Sequence, residues 1–398
     1  MSLRDSLGTK RTRIAIIGSR GIPAAYGGYE TIVQEIAPGL SQNGFEVYVS
    51  CESRGFRIRP HASYRGVRLV YFPVIDAIRN LSEVLLYDAL SAWWAALSVD
   101  IVYMLAYTSV PTLILPKLCG KTVIVNVDGI EWRRPKYNRF LRFLLHAFEI
   151  LSTRIADYTV VDSRAVGAYY ERNYGVTPVY MPYGVAEIRP LGPGALKRFG
   201  VRKDEYYLVI GRLIPDNNID LIMEEFVRSH SSKKLLVVGP LNRNRYVQGL
   251  LRRRDERTVF SGGVYEPRLQ RTLRHNCFAY IHGHEMGGTN PSLVEALSCS
   301  NTILALDVEF NREVAEDCAI YFKKQTGDLA KKIDLLEESP VPAQLKKGAY
   351  VLYEKKYGAP NALRMYVGFL DRITTRKATL KSEHCRTHDI PEVPAGSA

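Results

Sequence analysis

The sequence predicts an α/β protein with two Rossmann-like, doubly wound parallel-sheet domains that face each other across a cleft. The chain has 398 residues, more than one hydrophobic core usually supports. Continuous apolar runs alternate with segments of helical period, a pattern typical of parallel sheets covered on both faces. The alternation stops at 182–194, a segment rich in proline and glycine, and then restarts. Ligands of such sheets bind beyond the carboxyl ends of the strands.

Thirteen strands are predicted in order. Those of the first half are expected at 13–18, 45–51, 67–72, 100–105, 121–127, 157–162 and 177–182, with a helix after the first that ends at Gly44. Those of the second half are expected at 205–212, 233–239, 257–262, 278–282, 301–306 and 318–322. The predicted domains are 1–185 and 186–355, followed by a helix at 356–375 that packs back toward the first domain and a disordered tail at 376–398, where the chain is polar and patternless.

Composition narrows the class of protein. The apolar and charged fractions, 46% and 24%, are typical of a soluble globular protein. No apolar run is long enough to span a bilayer and the N-terminus lacks a signal peptide, so we expect a cytoplasmic protein. The six cysteines form no CxxC pair, which argues against a zinc site or a disulfide framework. The net charge of +13 favours anionic partners: nucleotide phosphates, an anionic membrane face or nucleic acid.

The most informative segment is 282–297, HGHEMGGTNPSLVEAL, between two predicted strands. A glycine turn followed by a helix N-terminus predicts an anion site, because unpaired N–H groups and the helix dipole favour phosphate. Thr289 or Asn290 can cap the helix, and Pro291 suits its first position. Glu295 lies where it can bind ribose hydroxyls. The alternative is that the glycines only close a tight turn and Glu295 is a solvated helix residue.

A second glycine-rich segment, GSRGIPAAYGGYET, follows the first strand. It lacks the middle glycine of the GxGxxG dinucleotide fingerprint, which argues against a dehydrogenase. Gly27 and Gly28, just before the next helix, still let a ligand approach the backbone closely. Glu30 then lies in the first helical turn, where a carboxylate is favourable whether or not it contacts ligand.

Three further features have chemical content. Arg212 follows a second-domain strand, where it can pair with a diphosphate leaving group or form a surface salt bridge. Asp128 follows a first-domain strand and either orients sugar hydroxyls or is a turn residue. His282 and His284 lack a third ligand, so a structural role or a sugar contact is favoured over metal binding.

One helix has an apolar face bordered by arginines. The segment 137–156, YNRFLRFLLHAFEILSTRIA, carries Arg139, Arg142 and Arg154 beside that face. Burial within the domain is the default interpretation. A contact with an anionic membrane surface is the alternative.

Together these motifs, with FNREV at 310–314, resemble retaining GT-B glycosyltransferases of the family 4 type, and within them the bacterial rhamnosyltransferases of polysaccharide biosynthesis. The resemblance covers about residues 12–370. It implies that the first domain faces the acceptor and the second binds the nucleotide sugar. It also implies that Glu295 binds the donor ribose, that Arg212 binds the diphosphate, and that Gly27 and Gly28 lie near the phosphates.

The chain departs from the family pattern at three positions. Gly287 stands where the family has the first glutamate of its E-x7-E motif, and Glu285 is two positions away. Asn217 stands where the family has a lysine beside the arginine, and Asp128 where many relatives carry a histidine. We therefore expect Asp128, Arg212 and Glu285 to be catalytic. The expected donor-binding residues are Gly27, Gly28, Arg212, Gly287, Gly288, Thr289, Asn290 and Glu295.

The resemblance implies a metal-independent hexosyltransferase without a cofactor, whose nucleotide-diphosphate sugar is its donor substrate. The expected partners are this donor, a saccharide or lipid-linked saccharide acceptor and an anionic membrane surface, with no nucleic acid. Two other classes fit parts of the chain. A nicotinamide-dependent oxidoreductase shares the architecture, and a non-catalytic nucleotide-sugar or nucleic-acid binding protein fits Gly287 and the +13 charge.

Overall fold

The computed structural model describes residues 11–24, 28–54, 62–74, 81–127, 129–134, 137–339 and 343–386. Two sheets of mainly parallel strands, each with helices on both faces, confirm the predicted pair of doubly wound domains. Asp128 and Gly27, two of the predicted site residues, lie outside the described residues. No helix in the described part of the chain is long and apolar enough to cross a membrane.

In the described residues, the first sheet has eight strands. The elements of this domain are β1 Arg13–Ile17, α1 Gly28–Gln42, β2 Glu46–Arg54, β3 Ser63–Tyr64, β4 Val67–Val74, α2 Leu81–Ser98, β5 Ile101–Leu105, α3 Ile114–Leu118, β6 Thr122–Val127, α4 Arg139–Ile155, β7 Tyr158–Val161, α5 Arg164–Tyr174 and β8 Val179–Tyr180. The strand order is β3-β4-β2-β1-β5-β6-β7-β8. Only β3, a short strand that the sequence pattern did not predict, is antiparallel to its neighbour.

The second sheet is parallel throughout, with the described strands in the order β11-β10-β9-β12-β13-β14. The elements of this domain are β9 Tyr206–Ile210, α6 Ile219–Arg228, β10 Lys234–Val238, α7 Arg245–Arg253, β11 Thr258–Gly262, α8 Pro267–Asn276, β12 Ala279–His282, α9 Pro291–Ser298, β13 Ile303–Leu306, α10 Glu309–Ala315, β14 Ile320–Phe322, α11 Asp328–Glu338 and α12 Ala343–Leu352. The predicted strands agree with these to within two residues at nearly every end, because a buried parallel strand is a continuous apolar run.

The last helix, α13, spans Ala359–Arg386 and crosses back to the first domain. Its residues Tyr366, Phe369, Leu370 and Ile373 belong to the first-domain core. The predicted disordered tail is therefore wrong over 376–386, which continue this helix. Polar composition did not end the helix, since the buried turns before it are already ordered and extension adds one hydrogen bond for each residue fixed.

Helices cover the first sheet in two layers. On one face α1 and α13 pack over the sheet, and on the other face lie α2, α3, α4 and α5. β6 and β12 each end at the carboxyl edge of their sheet, and the loops after them approach each other at Gly129 and Gly287, where the two domains face each other.

A buried carboxylate on α2 makes stability depend on pH. Asp88 is 4% exposed, and burial raises its pKa to about 6 from an ordinary value near 3.8. The folded state then retains a proton that the unfolded state loses, so stability falls as pH rises from about 4 to about 6. We expect Asp88→Asn to be more stabilising at pH 7.5 than at pH 4.5 by about 2 kcal/mol. Urea unfolding at both values measures this, and an equal effect at the two would contradict it.

Candidate functional site

The helix α9 begins at the carboxyl end of β12, as the glycine turn predicted. Of the two expected capping residues, Asn290 caps the helix, because its Oδ1 accepts a hydrogen bond from Ser292 N at 3.0 Å. Pro291 occupies the first helical position, where its missing N–H has no partner to lose. The positive end of this helix therefore points into the space between the domains.

Glu295 is held by a buried arginine. Arg274 of α8 is 2% exposed and forms an ion pair with Glu295. The same guanidinium donates to Ser292 Oγ at 2.8 Å. Glu295 keeps 26% of its side chain exposed, so it is a partly buried, fixed carboxylate rather than a solvated helix residue.

A series of hydrogen-bonded polar side chains continues from the Arg274–Glu295 ion pair toward the cleft. Ser292 Oγ lies 2.8 Å from the Tyr280 hydroxyl, which lies 3.2 Å from His282 Nδ1. The rings of His282 and His284 stack, with centroids 4.4 Å apart. This series of polar side chains thus connects helix α9 to the loop that follows β12.

Both histidines are neutral at physiological pH. Burial, together with the nearby charge of Arg212, lowers the pKa of His284 to about 3. Burial likewise holds the pKa of His282 well below its ordinary value. In the described part of the chain, no group of three or more His, Cys, Asp or Glu side chains could hold a metal ion.

Arg212 lies in the loop after β9, beside His284. Its side chain is exposed, and its carbonyl oxygen accepts a hydrogen bond from Asn217 Nδ2 at 2.7 Å. Asn217 is 3% exposed, so its amide braces this loop and does not extend from it. The family resemblance implies cations at positions 212 and 217. Of these two positions in this chain, Arg212 alone carries a positive charge.

Gly287 stands at the position of the family's first E-x7-E glutamate, and Glu285 is the nearby carboxylate. The two residues have different surroundings. Gly287 has φ of +134°, a conformation that side chains of L-residues rarely adopt. A glutamate at 287 would therefore be strained on this backbone. Glu285 forms an ion pair with Lys324. Its backbone N–H donates a hydrogen bond to Asp216 O at 3.0 Å. The carboxylate predicted to substitute for the glutamate thus has a cation partner within its own domain.

The first domain contacts this loop through Asp162, which follows β7. The side chain of Asp162 is fully buried, and its Oδ2 accepts a hydrogen bond from Thr289 N at 3.0 Å. Thr289 Oγ1 donates to the carbonyl oxygen of Asp162. A first-domain carboxylate therefore occupies one of the N–H groups ahead of α9, where an anion is favoured.

A second carboxylate makes the reciprocal contact. Glu313 of α10 accepts hydrogen bonds from Ser163 Oγ at 2.5 Å, from Arg164 N at 2.6 Å and from Ala165 N at 3.2 Å. These groups form the N-terminus of α5, so a second-domain side chain caps a first-domain helix. Asp162, Arg274 and Glu313 were not predicted as site residues from the sequence. Asp162 could have been identified by its position at the end of a predicted strand, and Glu313 lies within the FNREV motif.

Gly288 is required by the approach of Asp162. A methyl group at 288 would lie within 2.5 Å of Asp162 Cγ. We expect Gly288→Ala to weaken the contact between the domains by about 2 kcal/mol, the usual cost of forcing a methyl into a packed site. Thermal unfolding and transfer rate measure the effect, and Gly249→Ala, where the added methyl meets nothing within 4 Å, is the matched control.

Combining Gly288→Ala with Asp162→Ala tests the cause. Removal of the carboxylate relieves the overlap, so the double variant should lose less than the sum of the two single losses. Additive losses would locate the defect in the backbone at 288 instead.

On the first-domain side, the loop after β1 is held by α1. Glu30 is 6% exposed and accepts a hydrogen bond from Arg20 N at 2.9 Å. Glu30 therefore braces the loop after β1, a role that the sequence pattern did not predict. Gly28 is the first residue of α1. Across the cleft, a methyl on Gly129 would lie 3.6 Å from Gly287 Cα, so the two domains approach closely at this point.

Two family comparisons divide the chain in the same way as the two sheets. Residues 11–186 match a domain of unknown function (DUF1972), and residues 197–351 match Glycosyl transferases group 1. No curated protein matches the chain.

Solved structures of the same architecture cover almost the whole chain. HepE of Anabaena, in complex with UDP and glucose, has 14% identity and a TM-score of 0.74, and the match covers 91% of this chain and 100% of that one. Sucrose-phosphate synthase of Thermosynechococcus elongatus has 15% identity and a TM-score of 0.74, with 92% and 100% covered. The α,α-trehalose 6-phosphate synthase of Burkholderia multivorans has 12% identity and a TM-score of 0.69, with 94% and 99% covered. The chain has the GT-B fold and is a glycosyltransferase.

Proposed function

We propose that this glycosyltransferase transfers a sugar from a nucleotide diphosphate donor to a saccharide or lipid-linked saccharide acceptor, with retention of configuration and without a metal ion. Rhamnose is the first candidate for the sugar, on the family resemblance of the motifs. The observation that best supports this proposal is the Glu295 carboxylate, which is fixed in place beside the N-terminus of α9. Arg212 lies at the same edge of the second sheet.

The second domain offers complementary groups to each part of such a donor. The exposed part of the Glu295 carboxylate suits ribose hydroxyls, because Arg274 fixes its orientation. The positive end of α9 and the Arg212 guanidinium suit the two phosphates. HepE was crystallised with UDP-glucose, which makes uracil one candidate for the base. The resemblance to rhamnosyltransferases makes thymine another.

The reaction needs few catalytic groups. The acceptor hydroxyl attacks the anomeric carbon on the face from which the diphosphate leaves, so a carbon–oxygen bond forms as the bond to phosphate breaks. The acceptor proton passes to an oxygen of the departing phosphate. Arg212 and the helix terminus stabilise the charge that develops there, and the protein otherwise holds the two substrates in place. His282 and His284 are neutral, so neither acts as an imidazolium acid toward the departing phosphate.

We place the acceptor on the first-domain side of the cleft, as the family resemblance implies. Gly129 of the first domain and Gly287 of the second bound the cleft where the loops after β6 and β12 approach each other. We place the enzyme in the cytoplasm at the inner face of the membrane, where lipid-linked saccharides are extended.

Thermal stabilisation by nucleotides tests the donor site. A ligand that binds only the native state raises its stability by mass action. We would heat the protein with dTDP, UDP, GDP and ADP and with their sugars. We expect the nucleotides of one base to raise the melting temperature of the wild type. We expect Arg212→Ala and Glu295→Gln to lose this rise.

Matched variants exclude nonspecific effects of charge. Arg253 and Glu224 form an exposed ion pair at 2.9 Å on α7 and α6. Arg253→Ala and Glu224→Gln should keep the full nucleotide shift, each measured against its own unliganded protein. An absence of stabilisation by all four nucleotides, or equal shifts in all variants, would overturn the donor site.

A further inference from the structure

The outer face of one helical layer is unusually apolar for a surface. In the first domain, five large apolar side chains on α2, α3 and α4 are more than half exposed: Trp93, Leu97, Leu118, Phe140 and Phe143. Three of them, Leu118 at 79%, Phe140 at 74% and Phe143 at 72%, are the most exposed large apolar side chains in the described part of the chain. We name these five residues and the surface between them the apolar layer face.

The helix α2 contributes an apolar strip. Trp93 and Leu97 are one turn apart on its outer side, while Ala92 and Ala95 on the inner side pack into the sheet core. A surface helix ordinarily has a polar outer side. A helix with apolar residues on both its inner and its outer side is typical of one that is covered on both sides. The inner side is covered by the sheet, so the outer side requires another apolar partner.

The neighbouring helices are in contact and extend the strip. α2 packs against α3, and α4 packs against the 3-10 turn Val110–Leu113 that leads into α3. α4 begins beyond the carboxyl end of β6, so Phe140 and Phe143 lie at the cleft end of the layer. α2 ends just before β5 begins, so Leu97 lies at the opposite end. The apolar layer face therefore runs along the domain and reaches the cleft.

Its border is cationic. Arg139 and Arg154 on α4 are exposed and supply this charge, whereas the charge of Lys117 on α3 is balanced by its ion pair with Asp157. Among the side chains of α2 and α4 that the structure describes, the acidic ones, Asp88 and Glu149, are buried. Apolar side chains bordered by arginines complement a bilayer with anionic head groups.

Tryptophan usage agrees with such a partner. All three tryptophans of the chain lie in this layer: Trp93 and Trp94 on α2, and Trp132 just before α4. Trp132 contacts His146, while Trp93 is 55% exposed. Exposed tryptophan is favoured at the boundary between lipid and water.

We propose that the apolar layer face docks on an anionic lipid bilayer, with the cleft end beside the head groups. The contact extends beyond the single helix 137–156, since α2 and α3 supply much of the exposed apolar surface. In combination with the proposed function, on which this consequence rests, docking would deliver a lipid-linked acceptor to the cleft.

Vesicle binding tests the surface directly. We would measure flotation of the full chain with vesicles of phosphatidylcholine alone and with phosphatidylglycerol added. Binding is expected with phosphatidylglycerol. Leu118→Glu with Phe143→Glu should lower it roughly tenfold or more, because two apolar contacts are lost and two anions are added. Arg139→Gln with Arg154→Gln should lower it about fivefold for each arginine removed.

The matched control is Leu335→Glu with Val351→Glu, whose side chains are 51% and 52% exposed in the second domain. This variant should bind vesicles like the wild type. Trp93 fluorescence gives a second measurement: it should shift to the blue on vesicle addition, and Trp93→Phe should bind without that shift.

Three outcomes would overturn the proposal. They are no binding to anionic vesicles, equal losses in the control and the layer variants, or concentration-dependent dimerisation through this face without vesicle binding. The last would identify a second copy of this chain as the partner. Nucleotide stabilisation is independent of all three, so failure here leaves the donor site standing.

Discussion

Replacing Glu295 with alanine is expected to destabilise the protein by about 3–5 kcal/mol, besides abolishing donor binding. Arg274 is 2% exposed, and Glu295 is its charged partner. Burial opposes the charge of Arg274, and the carboxylate more than offsets this, so that the pKa of the guanidinium is raised. Without Glu295 the charge stays buried beside neutral groups, the side chains of Gln270, Ser292 and Tyr280. Urea unfolding measures the loss.

A second substitution separates this structural role from the proposed contact with ribose. Glu295→Ala with Arg274→Met removes both charges and keeps a long apolar side chain. Replacing a buried ion pair by apolar residues is often close to neutral, so most of the lost stability should return. Nucleotide binding should remain absent in this stable variant. A loss below about 1 kcal/mol in Glu295→Ala alone would show that the ion pair contributes no more than an exposed one.

Replacing Arg212 with alanine is expected to raise the barrier of the transfer step by about 3 kcal/mol, which lowers kcat roughly 100-fold. Its charge lies at the edge of the second sheet, and Asn217, at the family's lysine position, is turned toward the Arg212 carbonyl. A single guanidinium must therefore serve the leaving diphosphate on this side. The effect should fall mainly on kcat, because the charge increases as the bond breaks.

Arg212→Lys and Arg253→Ala are the comparisons for this prediction. Lysine keeps the charge without the bidentate geometry, so it should restore part of the rate. Arg253→Ala should match the wild type, because its ion pair with Glu224 lies on helices away from the cleft. A rate for Arg212→Ala close to that of the wild type would remove Arg212 from the leaving-group site.

The local sequence pattern was sufficient to predict most of the fold. Strands such as β5, whose five residues are all buried, are visible as apolar runs because side-chain burial on both faces leaves no polar position. The N-terminus of α9 was equally visible, since capping by Asn290 and the place of Pro291 depend on adjacent residues. The tail was the exception, because helix extension from an ordered turn does not require an apolar face.

The partners of the predicted site residues were not visible in the same way. Glu295 was predicted to bind ribose, and the sequence did not reveal that Arg274, on the preceding helix, fixes it. Glu285 was predicted to be catalytic, and its ion pair with Lys324 joins residues 39 apart in the chain. Each partner depends on how helices and strands pack, which no local spacing encodes.

The sequence by itself determined the order of the strands and helices, the two-sheet architecture and the start of α9 after its glycine turn, because these follow from burial periodicity and capping over a few adjacent residues. Only the tertiary structure decided how the two halves of the site meet. Asp162 and Thr289 are 127 residues apart, and Glu313 caps α5 from 150 residues away. The apolar layer face was also decided there, since an apolar helix is exposed or buried according to what packs against it. These contacts depend on the packing of one domain or layer against another.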